Sequence, residues 1–218
     1  MNILKNDSFR TILWAIFIAL IIRSFILEPF NIPSGSMKPT LLIGDFLFVK
    51  KWSYGYSKHS LPFSPPIINN RIFKKSPQRG DVVVFKTPSD NKTDYIKRII
   101  GITGDKIQMK NGVVYLNNEP LSKIQISNFI DEDKFGNVKE IEQFQETIDK
   151  KTFNTIDLVK NGIVDNTGIF IVPKNHFFVL GDNRDNSQDS RFINATGFIP
   201  EENLVGKAWF IFFSLKNS

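Results

Sequence analysis

The stretch TILWAIFIALIIRSFILEPF, residues 11–30, decides how the rest of the chain is read. Thr11–Ile22 is uncharged, with Lys5 and Arg10 on its N-terminal side. Counted on through Arg23 to Leu27, the apolar run reaches about 17 residues, the lower limit for crossing a bilayer if Arg23 extends its head toward an interface. A cleavable leader would end in small residues of the A-x-A kind. Here RSFILEPF (23–30) follows, bulky and containing a proline, so the segment reads as an uncleaved anchor rather than a leader or a buried helix. The basic residues before it make residues 1–28 a cytoplasmic N-terminus plus transmembrane anchor. Everything after Glu28 then lies across the membrane, since no later run is apolar for long enough to return.

Past Pro29 short apolar runs alternate with turn residues. Asp45–Val49, Asp81–Phe85, Tyr95–Ile100, Ile169–Val172 and Phe177–Leu180 are β-rich and too short for independent helices. Lys106–Met109 and Val113–Leu116 flank Asn111-Gly112, a dipeptide suited to a type I′ hairpin turn. Residues 52–77, rich in Pro, Ser, Tyr and basic side chains, read as a long surface excursion. Residues 117–168 are more polar and read as an insertion with a small sheet of its own and a short helix near Ile141–Ile148. The expected architecture is therefore mostly β: one N-terminal transmembrane helix, an all-β body (29–116 and 169–218) and an inserted β-rich subdomain (117–168). The terminal run AWFIFF (208–213) crowds aromatics on both faces of one strand. One set packs into the core, while the other meets either a second protein layer or lipid.

Composition narrows the chemistry. At 218 residues, 41% hydrophobic and 23% charged, the chain buries one sizeable core. With no cysteine it has no disulfide, thiol nucleophile or Cys-held metal. His59 and His176 alone leave no multi-histidine metal site, and neither metal nor cofactor is expected. The net charge of +6 suits a nucleic-acid binder or a membrane-surface protein, but also a chain simply rich in Lys, Asn, Ile and Phe. An anchor that holds the basic body outside the cytoplasm argues against nucleic acid.

Four segments exceed what a scaffold needs. IPSGSMKPT (32–40) packs two prolines and a glycine into a sharp turn displaying Ser34 and Ser36. In YIKRIIG (95–101), strand alternation puts Lys97 on the face of Tyr95 and Ile99. GDNRDNSQDSR (181–191) lacks the glycine and glutamate spacing of a calcium loop, and reads as a rigid loop with internal Asp–Arg pairs. RGDVVVF (79–85) is a strand entry. Ser89 and Lys92 match an S-x-x-K pattern, yet lie in a turn-rich loop rather than on the helix that pattern requires.

Taken in order after an anchor, PSGSMKPT (33–40), GDFLFV (44–49), RGDVVVF with YIKRIIG, and GDNRDNSQDSR resemble bacterial type I signal peptidases, membrane-anchored serine proteases with a Ser–Lys dyad. These blocks cover about a fifth of the chain. Three departures leave the dyad untouched: a single anchor where some members have two, Thr103 where a proline is usual, and the unmatched insertion. The resemblance implies Ser36 as nucleophile and Lys97 as general base. It implies Ser34 and the Ser36 N–H as oxyanion donors, Ser187 as the group orienting Lys97, and Asp189 with Arg191 bracing that loop. Matching positions put Ile32, Met37, Leu41, Tyr95 and Ile96 at the pocket nearer the cut, and Phe30, Leu47 and Val84 at the second. The implied partners are signal peptides of exported preproteins, a lipid bilayer and the neighbourhood of the export channel, at the bacterial cytoplasmic membrane. Rival readings are a related maturation protease of a conjugation system, a self-cleaving repressor, and a tethered β domain that binds peptides without cleaving them. A repressor would carry a DNA-binding domain where the anchor stands.

Overall fold

The computed structural model describes residues 7–62, 64–68, 70–132 and 136–215; Lys5 lies outside them. Helix α1 (Asp7–Ile21) runs into a wider helical turn over Ile22–Ile26, and together they form an exposed apolar rod of 20 residues. At 1.5 Å per residue this is about 30 Å, the thickness of a bilayer's hydrocarbon core. Pro29 forbids further helix, and the chain passes directly into β1 (Leu27–Asn31). The body continues through β2 (Asp45–Lys50), β3 (Val82–Lys86), β4 (Asp94–Gly101), β5 (Lys106–Lys110), β6 (Val113–Leu116) and β7 (Glu119–Pro120). The inserted stretch supplies β8 (Ser122–Gln125), β9 (Phe129–Glu132), β10 (Val138–Ile148) and β11 (Lys151–Asp157). The chain closes with β12 (Phe170–Ile171), β13 (His176–Leu180), β14 (Ile199–Pro200) and β15 (Leu204–Ser214).

The main sheet has the order β1-β2-β15-β3-β4-β13-β14. Strands β12-β5-β6-β7 form a second sheet, and β11-β10-β8, with β9 also on β10, a third. Asn111 and Gly112 both adopt positive φ (50° and 72°), the pairing that a type I′ turn between β5 and β6 demands. Ile99, Val83, Phe85, Val179 and Leu204 fill one core cluster, and Ile100, Ile107, Met109, Ile148 and Phe178 another. β13 pairs with β4 only from Arg98 to Gly101, so the Asp94–Lys97 half of β4 carries no second strand among the described residues. Among the described residues β1 pairs with β2 alone. Two open edges result.

Three expectations are corrected. Ile141–Ile148 lies inside the 11-residue strand β10, not a helix. Its Glu/Gln-rich composition suits a helix, but pairing with β8, β9 and β11 and burial of Glu146 against Arg184 override that local preference. Residues 52–77 are not a mere surface excursion: the Tyr54 hydroxyl donates to Asp81 at 2.9 Å, and Arg71 reaches the carbonyls of Gly55, Glu201 and Leu204. The reading of the last strand as covered on both faces fails. Trp209–Phe213 are each 43–53% exposed. The Phe48 and Phe212 rings stack at 4.3 Å, and Phe213 meets Phe46 at 5.7 Å, which gives a continuous aromatic ribbon.

Candidate active site

The turn after β1 delivers Ser36 to the end of the groove between the two open edges. Its backbone is held from the 181–191 loop: Asn183 donates through its side chain to the Gly35 carbonyl and through its N–H to the Ser36 carbonyl, both at 3.1 Å. Gly181 permits this approach, because a Cβ there would collide with Ser187 and the Ser36 carbonyl. Beneath, Arg98 grips Asp182 through two bonds of 2.8 and 2.6 Å, and Thr40 donates to the same carboxylate at 2.5 Å. Asp189 and Arg191 form the fully buried pair foreseen for the loop, 2.8 Å apart.

Lys97 descends from β4 on the face of Tyr95 and Ile99. Its Nζ donates to Ser36 Oγ at 2.7 Å and to the Ile96 carbonyl at 3.0 Å, and it lies 5.3 Å from the Tyr95 ring centre. Only 4% of the residue is exposed. Burial pushes its amine down to about 8 from an ordinary 10.5, against the weaker opposing pull of Asp189 and Asp182. Ser34 Oγ stands 3.3 Å from Ser36 Oγ.

The groove is a cavity of about 480 Å³. Phe30, Ile32, Val84, Tyr95 and Ile96 line it, as expected, with Ser34, Ser36 and Lys97 at its end. Met37, Leu41 and Leu47 do not. They pack with Val49 and Val205 in the core beneath, because the tight turn at Gly35–Met37 directs Met37 inward. The Ser187–Lys97 bond is not made either: Ser187 Oγ, packed over Gly181, is buried without a partner among the described residues. Reading the sequence also missed Asn186 and Gln188, which wall the groove, with Gln188 accepting from the Tyr95 hydroxyl at 3.0 Å. Both lie in the quoted loop, so position was a signal though residue type was not. Among the described residues no cluster of His, Asp and Glu could hold a metal.

The structure thus combines an apolar helix long enough to cross a membrane, a β body and a buried Ser–Lys pair at the end of an open groove. The model of the family described as signal peptidase, peptidase S26, matches residues 5–213, and the chain belongs to that family. Signal peptidase I of Rickettsia typhi (strain ATCC VR-144 / Wilmington) is 44% identical over 220 residues, covering 97% of this chain and 81% of that protein. Its counterpart from Rickettsia canadensis (strain McKiel) is 41% identical over 219 residues, covering 96% and 80%. A crystal structure of a signal peptidase I from Enterococcus faecalis V583 is 26% identical, covers 61% of this chain and 97% of that one, and superposes with a TM-score of 0.36.

Proposed function

We propose that Ser36 and Lys97 carry the reaction of this signal peptidase, a serine endopeptidase that frees exported proteins from their signal peptides. Neutral Lys97 takes the proton of Ser36 as Oγ attacks the scissile carbonyl carbon. The Ser36 N–H and the Ser34 hydroxyl receive the oxyanion. When the tetrahedral intermediate collapses, Lys97 returns the proton to the leaving amine. Water, deprotonated by the same amine, then hydrolyses the ester and restores Ser36. The observation that carries this reading is the 2.7 Å approach of a buried, carboxylate-free amine to the serine hydroxyl.

The substrate enters as an added strand between β1 and the open half of β4, where both edges offer unpaired backbone groups. Phe30, Ile32, Val84, Tyr95 and Ile96 leave shallow apolar room for small side chains. Asp189 and Arg191 keep the loop over the site rigid. From Leu27 to Ser36 the chain reaches at most about 30 Å, so the nucleophile works close to the bilayer, where signal peptides leave the export channel. The body faces the outside of the cytoplasmic membrane and the N-terminus the inside.

The test is detergent-solubilised full-length protein with a preprotein, wild type beside Ser36→Ala. Cleavage by the wild type alone is expected, and undiminished cleavage by the variant would remove Ser36 from the mechanism. Protease added outside intact spheroplasts should digest the body, and full protection would reverse the orientation.

A further inference from the structure

A second cavity of about 480 Å³ opens where the anchor meets the body. Arg23 and Ser24, from the last turn of the span, form one wall, and Lys51, Lys58, Lys86 and Lys92 bring four further cations from three separate segments. The anchor's end is fastened there: the Tyr56 hydroxyl donates to the Phe25 carbonyl at 2.9 Å, and the two rings meet edge-on at 5.4 Å. The cavity therefore sits at the depth where the hydrocarbon ends and lipid headgroups begin.

Three carboxylates share the cavity, and each is already engaged. Glu28 takes Arg23 at 3.0 Å and Lys51 at 2.6 Å; Asp94 takes Lys86 at 2.7 Å. Asp90 accepts from Thr87, Thr93 and two backbone N–H groups of its own turn. Lys58 and Lys92 are left with no acidic partner among the described residues. His59 adds an independent sign. It is 4% exposed, its Nδ1 meets Ser64 Oγ at 3.0 Å, and its Nε2 has no partner among the described residues. Burial first, then Lys58, Lys86, Arg71 and Lys51, lower its pKa to about 4. Five cations, Arg23, Lys51, Lys58, Lys86 and Lys92, thus line the cavity against three engaged carboxylates, and its charge at neutral pH is positive.

We propose that this cavity binds the phosphate of an anionic phospholipid, with Lys58 and Lys92 as its principal contacts. The phosphodiester enters from the headgroup layer while its acyl chains stay beside the anchor. Phe30 and Asp94 line both this cavity and the groove that holds Ser36, so a bound headgroup touches the wall of the cleavage site. The proposal is independent of the roles given to Ser36 and Lys97.

The test uses the full-length protein in neutral detergent micelles doped with dioleoylphosphatidylglycerol or, separately, dioleoylphosphatidylcholine. Native mass spectrometry and the thermal midpoint report binding. Phosphatidylglycerol should be retained at least about tenfold more than phosphatidylcholine and should raise the midpoint by several degrees. Lys58→Gln with Lys92→Gln should abolish both effects. Lys106→Gln with Lys150→Gln, the same charge change at exposed positions on β5 and in the β10–β11 turn, should leave them intact. Circular dichroism and the midpoint in undoped micelles establish that each variant is folded, and a Lys58→Arg, Lys92→Arg protein should recover binding. Full retention by the Gln pair, or equal loss in the control pair, would overturn the site. An equal midpoint shift with inorganic phosphate at matched concentration would assign the cavity to free anions instead. A lipid response that survives in the Gln pair, while a signal peptide bearing Glu five residues before its cut loses affinity, would make the cavity a substrate subsite and sink the lipid proposal.

Discussion

Two lysines lie almost equally deep in this protein, Lys97 at 4% exposure on the groove floor and Lys51 at 2% beside the anchor. Burial lowers the proton affinity of both. Lys51 Nζ touches the Glu28 carboxylate at 2.6 Å, which pulls its affinity back by charge and by hydrogen bond. Among the described residues Lys97 meets only a hydroxyl and a carbonyl, and Asp189 and Asp182 oppose burial only through their charge. The same desolvation therefore accompanies an ion-paired strut in one region and, in the other, an amine suited to the proposed role of base. The deciding feature is a carboxylate in contact, not depth.

The sharpest way to break this comparison is to remove the base. Lys97→Ala should lower kcat/KM for a preprotein by at least about 10⁴-fold while the protein stays folded. Near-normal turnover would mean that burial without a carboxylate does not mark the base here. A third buried cation extends the contrast: Arg184 holds Glu146 at 2.6 Å, both nearly inaccessible, and ties the catalytic loop to β10. Glu146→Ala should cost about 3–5 kcal/mol in denaturant unfolding, because it strands a buried guanidinium. A loss under about 1 kcal/mol would show the pair to be dispensable.

Replacing each lysine by methionine should give opposite signs. The folded Lys97 amine titrates near 8, the unfolded one near 10.5. Between these values the unfolded chain holds a proton that the folded chain has released, so folding gains as pH rises, and below pH 8 the full penalty of a buried charge is present. Lys97→Met should therefore stabilise at pH 7 by about 1–3 kcal/mol, with the gain fading as pH rises from about 8 to 10.5. Lys51→Met should destabilise by about 1–3 kcal/mol, since Glu28 keeps only Arg23. Same-sign shifts in chemical denaturation would refute the distinction. If neutral Lys97 is the base, as proposed, kcat/KM should climb about tenfold per pH unit from 6 toward 8 and then level. A flat profile from pH 5 to 9 would contradict a desolvated amine. The smallest effect concerns the ribbon on β15. With Trp14→Phe and Trp52→Phe leaving Trp209 as sole fluorophore, brominated lipid should quench its emission in vesicles by a measurable fraction. Unquenched emission would place the ribbon away from lipid.

Much of the molecule was legible along the chain. The anchor declared itself through the uncharged run Thr11–Ile22 and the bulky, proline-containing segment after it, and the hairpin at Asn111-Gly112 through the backbone sign those residues tolerate. Ser36 and Lys97 stood out once four blocks were taken in order. Glu146 was misread with the helix around it, because local propensity has no knowledge of an arginine 38 residues away. Met37, Leu41 and Leu47 are apolar either way, and only the direction of the turn for Met37 and the inward face of β2 for Leu47 assign them to the core with Leu41 rather than to the groove.

The sequence by itself determined what is local: an apolar rod of spanning length, strands of period two, turns built from Gly, Asn and Pro, and the residue types a Ser–Lys reaction requires. Tertiary structure alone decided which groups meet. It brought Lys97 to within 2.7 Å of Ser36 across 61 positions, left Lys97 without a contacting carboxylate, and gave one to Lys51. The physical reason is that proton affinity depends on burial and on the nearest charges, and both are set by packing between segments far apart in the chain.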